Sequence, residues 1–440
     1  MPQAKDVLRV RAGPLDKTRA LQRKLYRAAK QSGKRRFHAL YDKVHRADIL
    51  GRAWEEVARK GGAAGVDGMT IEAVEEEGVE AFLSNLQQEL AECRYRPLPV
   101  RRVTIPKRNG GQRHLGVPAV RDRVVQAAAK LVLEPIFEAD FAECSFGFRP
   151  RRSALMARER IRSGLRRYRR WAVDADIKGF FDHLDHGILL GLVGERVSDR
   201  RVLKLLRSWL RAGVLAEGSL LHPDAGTPQG GVISPLLANV YLHRLDKAWQ
   251  EHGQRLGELT RYADDLVVLC RTAKRAATAL AELRRLLAEL GLELSEAKTR
   301  VVDCRTGAEG FDFLGFHFRM RPTRRNRNWW YAASWPSQAA VAAARNRVRD
   351  LTPLARIGLP TIVVVQEVNA FLRGWGAYFR YGNSTQQFHQ LDAYVMHRVA
   401  CFIARKHKAR TWRRGLVDLL GSHTGPGLYR LVGTVRYASA

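Results

Sequence analysis

Residues 261–270 read RYADDLVVLC, two adjacent carboxylates against an apolar run. Leu266, Val267, Val268 and Leu269 have the composition of a buried strand. Asp264 and Asp265 at the end of such a strand are costly unless something neutralises them. An Asp-Asp pair is commonly no more than a solvated turn. The apolar flank on one side, and a second acidic strand upstream, argue for more than that here.

The second strand lies in WAVDADIKGFFDHLDH, residues 171–186. Alternation puts Ala172, Asp174, Asp176 and Lys178 on one face of it. If this strand neighbours the one after Asp265, three carboxylates converge. They cannot all stay ionised without cations, and an all-oxygen donor set suits Mg²⁺. Two such ions about 4 Å apart clamp the attacking and leaving oxygens of a phosphoryl transfer.

Charge points the same way. Seventy-six Lys and Arg against 44 Asp and Glu leave a net +32. Self-repulsion of that size opposes compaction unless a polyanion answers it. Nucleic acid is the first candidate partner and an anionic membrane the second. No basic amphipathic helix stands out as a membrane anchor, so no membrane partner is expected. On charge alone a ribosome-associated protein fits as well; with the carboxylates added, polynucleotide synthesis or cleavage fits better.

The chain of 440 residues, 45% hydrophobic, is long enough for two or three domains with real cores. No apolar run is long enough to cross a membrane, and the N-terminus has no apolar signal core. Cysteines 93, 144, 270, 304 and 401 are scattered without a CxxC pair. That argues against a disulfide framework or zinc module and suits a reducing cytoplasm. Residues 1–60 are basic and helical in pattern, and 71–92 form an acidic helix. Residues 95–118 read as strand, turn at Asn109-Gly110-Gly111, and returning strand. Residues 171–181 read as a strand, 234–249 and 273–290 as helices, and 292–302 and 311–320 as strand-like. The stretch RMRPTRRNRNWWY, 319–331, is a basic aromatic connector and a candidate domain boundary. Helices follow, then a glycine-broken tail.

These residues carry a resemblance. YADD (262–265) resembles motif C of reverse transcriptases, DADIKGFFDHLDH (174–186) their motif A, and GTPQGGVISPLLANVYLHRLD (226–246) their motif B. GLELSEAKT (291–299) is similar to motif D, and FDFLGFHF (311–318) to the primer-grip stretch. KGGAAGVDGMT (60–70), IPKRNGGQRHLGVPAVRDRVVQ (105–126) and SFGFRPRRSA (145–154) resemble blocks of one branch, the group II intron reverse transcriptase–maturases. FLRGWGAYFRY (371–381) resembles the maturase thumb, or X, region. The resemblance runs in order from about residue 60 to 320, and more loosely to the end.

The resemblance implies an α+β right-hand polymerase: fingers, a ferredoxin-like palm, and an α-helical thumb. It divides the chain into an N-terminal extension and start of the fingers (1–95), fingers and palm (96–320), thumb or maturase X domain (321–405), and a short basic DNA-binding-like segment (406–440). Asp176, Asp264 and Asp265 become the catalytic carboxylates, holding two Mg²⁺ ions with help from the Ile177 carbonyl. Asp174 is a less favoured ligand that spacing alone does not exclude. Asp182 and Asp185 read mainly as helix caps. Lys107 and Arg113 would grip the incoming triphosphate; the alternative is generic basic surface. Phe181 would reject a ribose 2′-hydroxyl by size, unless it is simply core. Gln229 would line the nucleotide pocket, Lys298 would protonate pyrophosphate or sit merely at a surface, and Gly315 would let the primer pass close to the backbone.

The implied function is RNA-directed DNA polymerisation that copies intron RNA into cDNA, with binding of the intron RNA to assist splicing, together supporting retrohoming. Implied partners are group II intron RNA, an RNA template with a DNA primer, dNTPs and target DNA, in the cytoplasm and at the nucleoid. The chain carries no paired Cys and His cluster like the endonuclease of many relatives. Target cleavage is therefore not expected, and priming would come from elsewhere, such as nascent strands at a replication fork. An RNA-binding splicing factor with an idle polymerase, and a host-adopted enzyme of defence or repair, are the alternatives.

Overall fold

The computed structural model describes residues 14–106, 112–216, 219–221, 230–305, 307–323, 326, 329–408, 411–413, 415, 417 and 427–436. It begins with five helices: α1 (Pro14–Gln31), α2 (Tyr41–Val44), α3 (Ala47–Lys60), α4 (Ile71–Glu77) and α5 (Val79–Ala91). The acidic stretch expected as one helix is two. Gly78 between them sits at φ +107°, which ends α4 and restarts the chain in a new direction.

Strands β1 (Val100–Pro106) and β2 (Gln112–Val117) pair antiparallel, Ile105 opposite Arg113 and Pro106 opposite Gln112. The two expected strands therefore pair, and the expected turn at Asn109-Gly110-Gly111 lies outside the described residues. Helix α6 (Val120–Glu138) is buried along most of its length and packs against α1 and α3. Helix α7 (Ala154–Arg166), capped by Ser153, leads into β3 (Trp171–Asp176). The strand expected to reach residue 181 stops at Asp176. Gly179 at φ +52° opens a single 3₁₀ turn, Phe180–Asp182, instead. Asp185 caps α8 (His186–Gly194), accepting from the Ile188 amide at 2.7 Å. Then come α9 (Arg200–Arg211), β4 (Val214–Ala216), β5 (Ser219–Leu221) and α10 (Ser234–Ala248). β4 pairs parallel with β1, completing a sheet ordered β2-β1-β4-β5.

The central sheet is ordered β6-β7-β3-β8, from β6 (Gly257–Tyr262), β7 (Asp265–Cys270) and β8 (Arg300–Asp303) around β3, every pair antiparallel. Alternation divides its side chains between two cores. Val173, Ala175, Leu266, Val268 and Cys270 join α10 and α11 (Ala273–Ala288) on one face. Ala172, Val267 and Leu269 join α7 and the C-terminal helices on the other. This explains why LVVLC is continuously apolar: both faces of β7 are covered.

Beyond the sheet, β9 (Phe311–Phe313), β10 (Phe316–Pro322) and β11 (Trp330–Pro336) form a three-stranded antiparallel sheet. The stretch 319–331 expected as a connector is thus part of a paired hairpin. Pairing is held by its buried residues, Phe318, Met320, Ala332 and Ala333, which the basic residues between them obscured. Helices α12 (Gln338–Leu351), α13 (Thr361–Phe379) and α14 (Thr385–Lys406) pack on this sheet. Phe316 lies 4.9 Å from Phe379 and 5.2 Å from Tyr378, ring to ring. Arg158 of α7 spans the junction, donating to the Ser334 hydroxyl at 2.7 Å. The described tail folds back: Asp392 accepts from the Leu431 and Val432 amides, and Asn369 from Tyr429. No described helix is long and apolar enough to cross a membrane.

Leu314 (φ +51°) and Gly315 (φ +77°) make the two-residue turn joining β9 to β10. The Leu314 carbonyl accepts from Tyr378 Oη at 2.9 Å, and the Gly315 carbonyl from the Ser337 amide at 2.8 Å. Gly315→Ala puts a second non-glycine residue in the left-handed region, with its Cβ 3.3 Å from Phe379 Cζ. Urea unfolding is expected to show a loss of about 1–2 kcal/mol.

Candidate active site

Antiparallel register sets Asp176, the last residue of β3, directly opposite Asp265, the first of β7. Side chains of such a pair project to the same face, roughly 5 Å apart at Cβ. Asp174, two residues earlier, shares that face. Asp264 sits beside them in the turn Ala263-Asp264 that joins Tyr262 of β6 to Asp265 of β7. The expectation that the two acidic strands neighbour each other is met by these contacts.

The electrostatics are those of a strained cluster. Burial, then the charges of Asp264, Asp176 and Asp174, push the Asp265 carboxyl up to about 7. Asp265 is itself exposed to solvent, so the cluster opens to water. Burial also pushes Asp174 up to about 6, opposed by Arg300, whose Nε is 3.4 Å from its Oδ2. Lys298 Nζ reaches Asp176 Oδ2 at 2.7 Å, and this hydrogen bond holds the ammonium above its ordinary range. Lys298 itself is largely exposed. An exposed ammonium is therefore the counter-charge of Asp176.

The donor set fits a hard divalent cation: several carboxylate oxygens, open to water, with no His or Cys among them. Among the described residues no group of three His, Cys, Asp or Glu side chains is placed so that it could hold a metal ion as it stands. An ion here would complete its shell with water and substrate phosphate, as Mg²⁺ does.

What fixes the turn was not visible in the sequence. Arg261, on β6, is fully buried. Its guanidinium pairs bidentately with the equally buried Asp246 of α10, at 2.8 and 2.5 Å. It also donates to Asn239 Oδ1 and to the Ala263 carbonyl, each at 3.0 Å. Asn239 in turn donates to the Gly147 carbonyl at 2.8 Å. Gly147 lies so close to the turn that a Cβ there would meet the Ala263 amide at 2.3 Å. Ala263 holds φ +57°, a conformation unfavourable for alanine. The available signal was two polar residues seven apart on an otherwise apolar face of α10.

The other expected residues divide into three groups. Ile177 is buried and bridges to Leu294 just beyond β3. Phe181 is half-buried, edge-to-face on Phe180 with centroids 5.1 Å apart, and Gly315 occupies the turn described above. Arg113 lies on β2, with its side chain outside the described residues. Lys107 and Gln229 lie outside the described residues altogether.

Opposed strand-end carboxylates in a strongly basic chain are the arrangement that metal-assisted phosphoryl transfer on nucleic acid requires. Residues 105–318 match the family described as Reverse transcriptase (RNA-dependent DNA polymerase), and residues 341–418 match Group II intron, maturase-specific domain. The chain is 33% identical over 372 residues to Protein YkfC of Escherichia coli, covering 76% of this chain and 95% of that protein. It is 31% identical over 350 residues to Group II intron-encoded protein LtrA of Lactococcus lactis subsp. cremoris, covering 65% of this chain but only 57% of LtrA. A solved chain in a partial Cas6-RT-Cas1–Cas2 complex aligns at 26% identity and TM-score 0.36, over 57% of this chain and 42% of that one. The chain belongs to the group II intron reverse transcriptase–maturase family.

Arg261→Met leaves Asp246 buried without its partner. The expected loss is about 3–5 kcal/mol, read as a lower urea midpoint. Arg261→Met with Asp246→Leu should regain most of that stability. Primer extension should stay impaired in the pair, because the Ala263 carbonyl still lacks its donor.

Proposed function

We propose that this chain copies group II intron RNA into cDNA at the Asp176, Asp264 and Asp265 cluster, and that its maturase region holds the same RNA for splicing. Reverse transcriptase and maturase function come with the family; the substrate and the residue roles are the proposal. The observation carrying it is the pairing of Asp176 opposite Asp265, with Asp264 in the adjoining turn.

In this reading the three carboxylates and the Ile177 carbonyl hold two Mg²⁺ ions. When bound, the ions supply the positive charge that favours an attacking alkoxide and a leaving pyrophosphate. The primer 3′ oxygen bonds to the α-phosphorus of the dNTP as the bond to the bridging α–β oxygen breaks. The hydroxyl proton leaves to solvent, and Lys298 supplies one to pyrophosphate. Its contact with Asp176 keeps the ammonium charged and at the cluster until substrate arrives. Lys107 and Arg113 grip the triphosphate, Phe181 excludes a 2′-hydroxyl, Gln229 lines the nucleotide pocket, and Gly315 lets the primer strand approach the backbone. Fingers, palm and thumb correspond to the β2-β1-β4-β5 sheet with its helices, the β6-β7-β3-β8 sheet, and α12–α14. DNA primer and target DNA are the further partners, and the cytoplasm and nucleoid the setting.

Asp264→Ala should abolish extension of a DNA primer on an RNA template with Mg²⁺, by at least about a thousandfold. RNA affinity in a filter-binding assay should stay within about threefold of wild type, since the contacts to phosphate are elsewhere. Full-length cDNA from the variant would mean the site is misassigned.

A further inference from the structure

The mechanism uses neither Asp122 nor Gln126, two buried polar side chains one turn apart on α6. Gln126 stands among Val124, Val125, Ala127, Ala128 and Ala129, each 2% exposed or less. A buried amide left without a partner costs about 1–3 kcal/mol, a cost that an apolar side chain avoids. The partner of Gln126 lies 106 residues further along the chain: the Val232 amide donates to its Oε1 at 2.8 Å. Val232 precedes α10, whose start the buried Ile233, Leu236 and Leu237 already anchor. What the polar contact adds is a fixed place for the backbone between Gly230 and α10.

That backbone is confined from a second side. Gly230 holds φ +122°, and a Cβ there would meet the Gly116 carbonyl of β2 at 2.5 Å. Gly116 lies opposite Arg102 in the β1–β2 pair. The Ser234 amide donates to the Gly231 carbonyl at 3.3 Å, closing the turn into α10. One helical turn before Gln126, Asp122 accepts from the Leu98 amide at 3.0 Å and from Tyr95 Oη at 2.6 Å, just ahead of β1. Side chains four apart share a helix face. One face of α6 therefore holds both the root of the β1–β2 pair and the backbone that follows Gly230.

We propose that Gln126 is a positioning residue for nucleotide binding. Its side-chain carbonyl fixes Gly230–Val232 against β2, and through them sets where Gln229, the preceding residue in the chain, meets the incoming dNTP. The proposal rests on the reading that Gln229 lines the nucleotide pocket. An apolar side chain at 126 would fill the same volume, but it would not define the place of the Val232 amide. Misplacing a binding group by about 1 Å can cost up to about a hundredfold. The carboxylates are untouched, so the loss falls on dNTP binding and not on the chemical step.

The test is steady-state dNTP incorporation by the full chain on an RNA template with a DNA primer and Mg²⁺. Gln126→Met removes the acceptor and should raise the dNTP KM about tenfold, with kcat within about threefold of wild type. Gln126→Glu keeps an oxygen for the Val232 amide and should bring KM back to within about threefold. Tyr41→Phe deletes a buried hydroxyl that donates to the Leu90 carbonyl, far from the loop, and should leave KM unchanged while lowering stability. Should Gln126→Met not fold, Gln126→Asn keeps the amide but falls short of Val232, and should raise KM alike. Because Gln126 acts through Gln229, Gln126→Met with Gln229→Ala should be no worse than Gln229→Ala alone. Multiplied effects on KM overturn the proposal, as does a fall in kcat with KM unchanged. A wild-type KM in folded Gln126→Met beside a raised one in Gln229→Ala overturns the positioning role and leaves the pocket reading standing. A raised KM in Gln126→Met beside a wild-type one in Gln229→Ala overturns the pocket reading, and with it the route through Gln229.

Discussion

The Arg261–Asp246 pair is the constraint on which the turn carrying Asp264 depends. Both side chains are withdrawn completely from water, which is tolerable because they pair bidentately with each other and Arg261 also donates to Asn239 and Ala263. One guanidinium satisfies a carboxylate from α10, an amide side chain from α10 and a backbone carbonyl in the turn. An apolar substitute would pack, but it would not hold the Ala263 carbonyl or keep alanine at positive φ. The pair therefore works as a positional device more than as a source of stability. Gly147, pressed against the same turn, closes it from the other side.

Stability and chemistry pull against each other at the mouth of the sheet. Asp174, Asp176, Asp264 and Asp265 crowd together, and burial with the neighbouring charges pushes the Asp265 carboxyl up to about 7. Nothing in folding calls for that arrangement. Two solid cores on either side of the sheet over-determine the strand ends, so the repulsion is borne. Lys298, just before the edge strand β8, and Arg300, its first residue, temper it.

Much of this was legible. The apolar run after Asp265 marked a strand, and alternation along 171–176 put Asp174 and Asp176 on one face. Their meeting with Asp265 followed once the two strands were supposed neighbours, a supposition that the cost of unpartnered carboxylates suggested and the ordered resemblance then supported. The supporting lattice was not legible, because Arg261, Asn239, Asp246 and Gly147 come from three separate segments and only tertiary contact relates them. Residues 311–320 read as strand-like, but their pairing with 330–336 was not legible, because the arginines and asparagines between them mask a weak alternation. The early end of β3 turned on Gly179, whose left-handed conformation a pattern of apolar residues does not announce. The Lys298–Asp176 contact spans 122 residues, a separation at which charge in the sequence says nothing about pairing.

The central claim is that carboxylates from two strands act on shared divalent cations. A double-mutant cycle tests it most directly: Mn²⁺ affinity of wild type, Asp176→Asn, Asp264→Asn and the double variant, read by electron paramagnetic resonance. Shared ligation predicts a coupling of about 1 kcal/mol or more between the two substitutions. Additivity within about 0.3 kcal/mol would mean that the two residues do not share an ion, and would contradict the account.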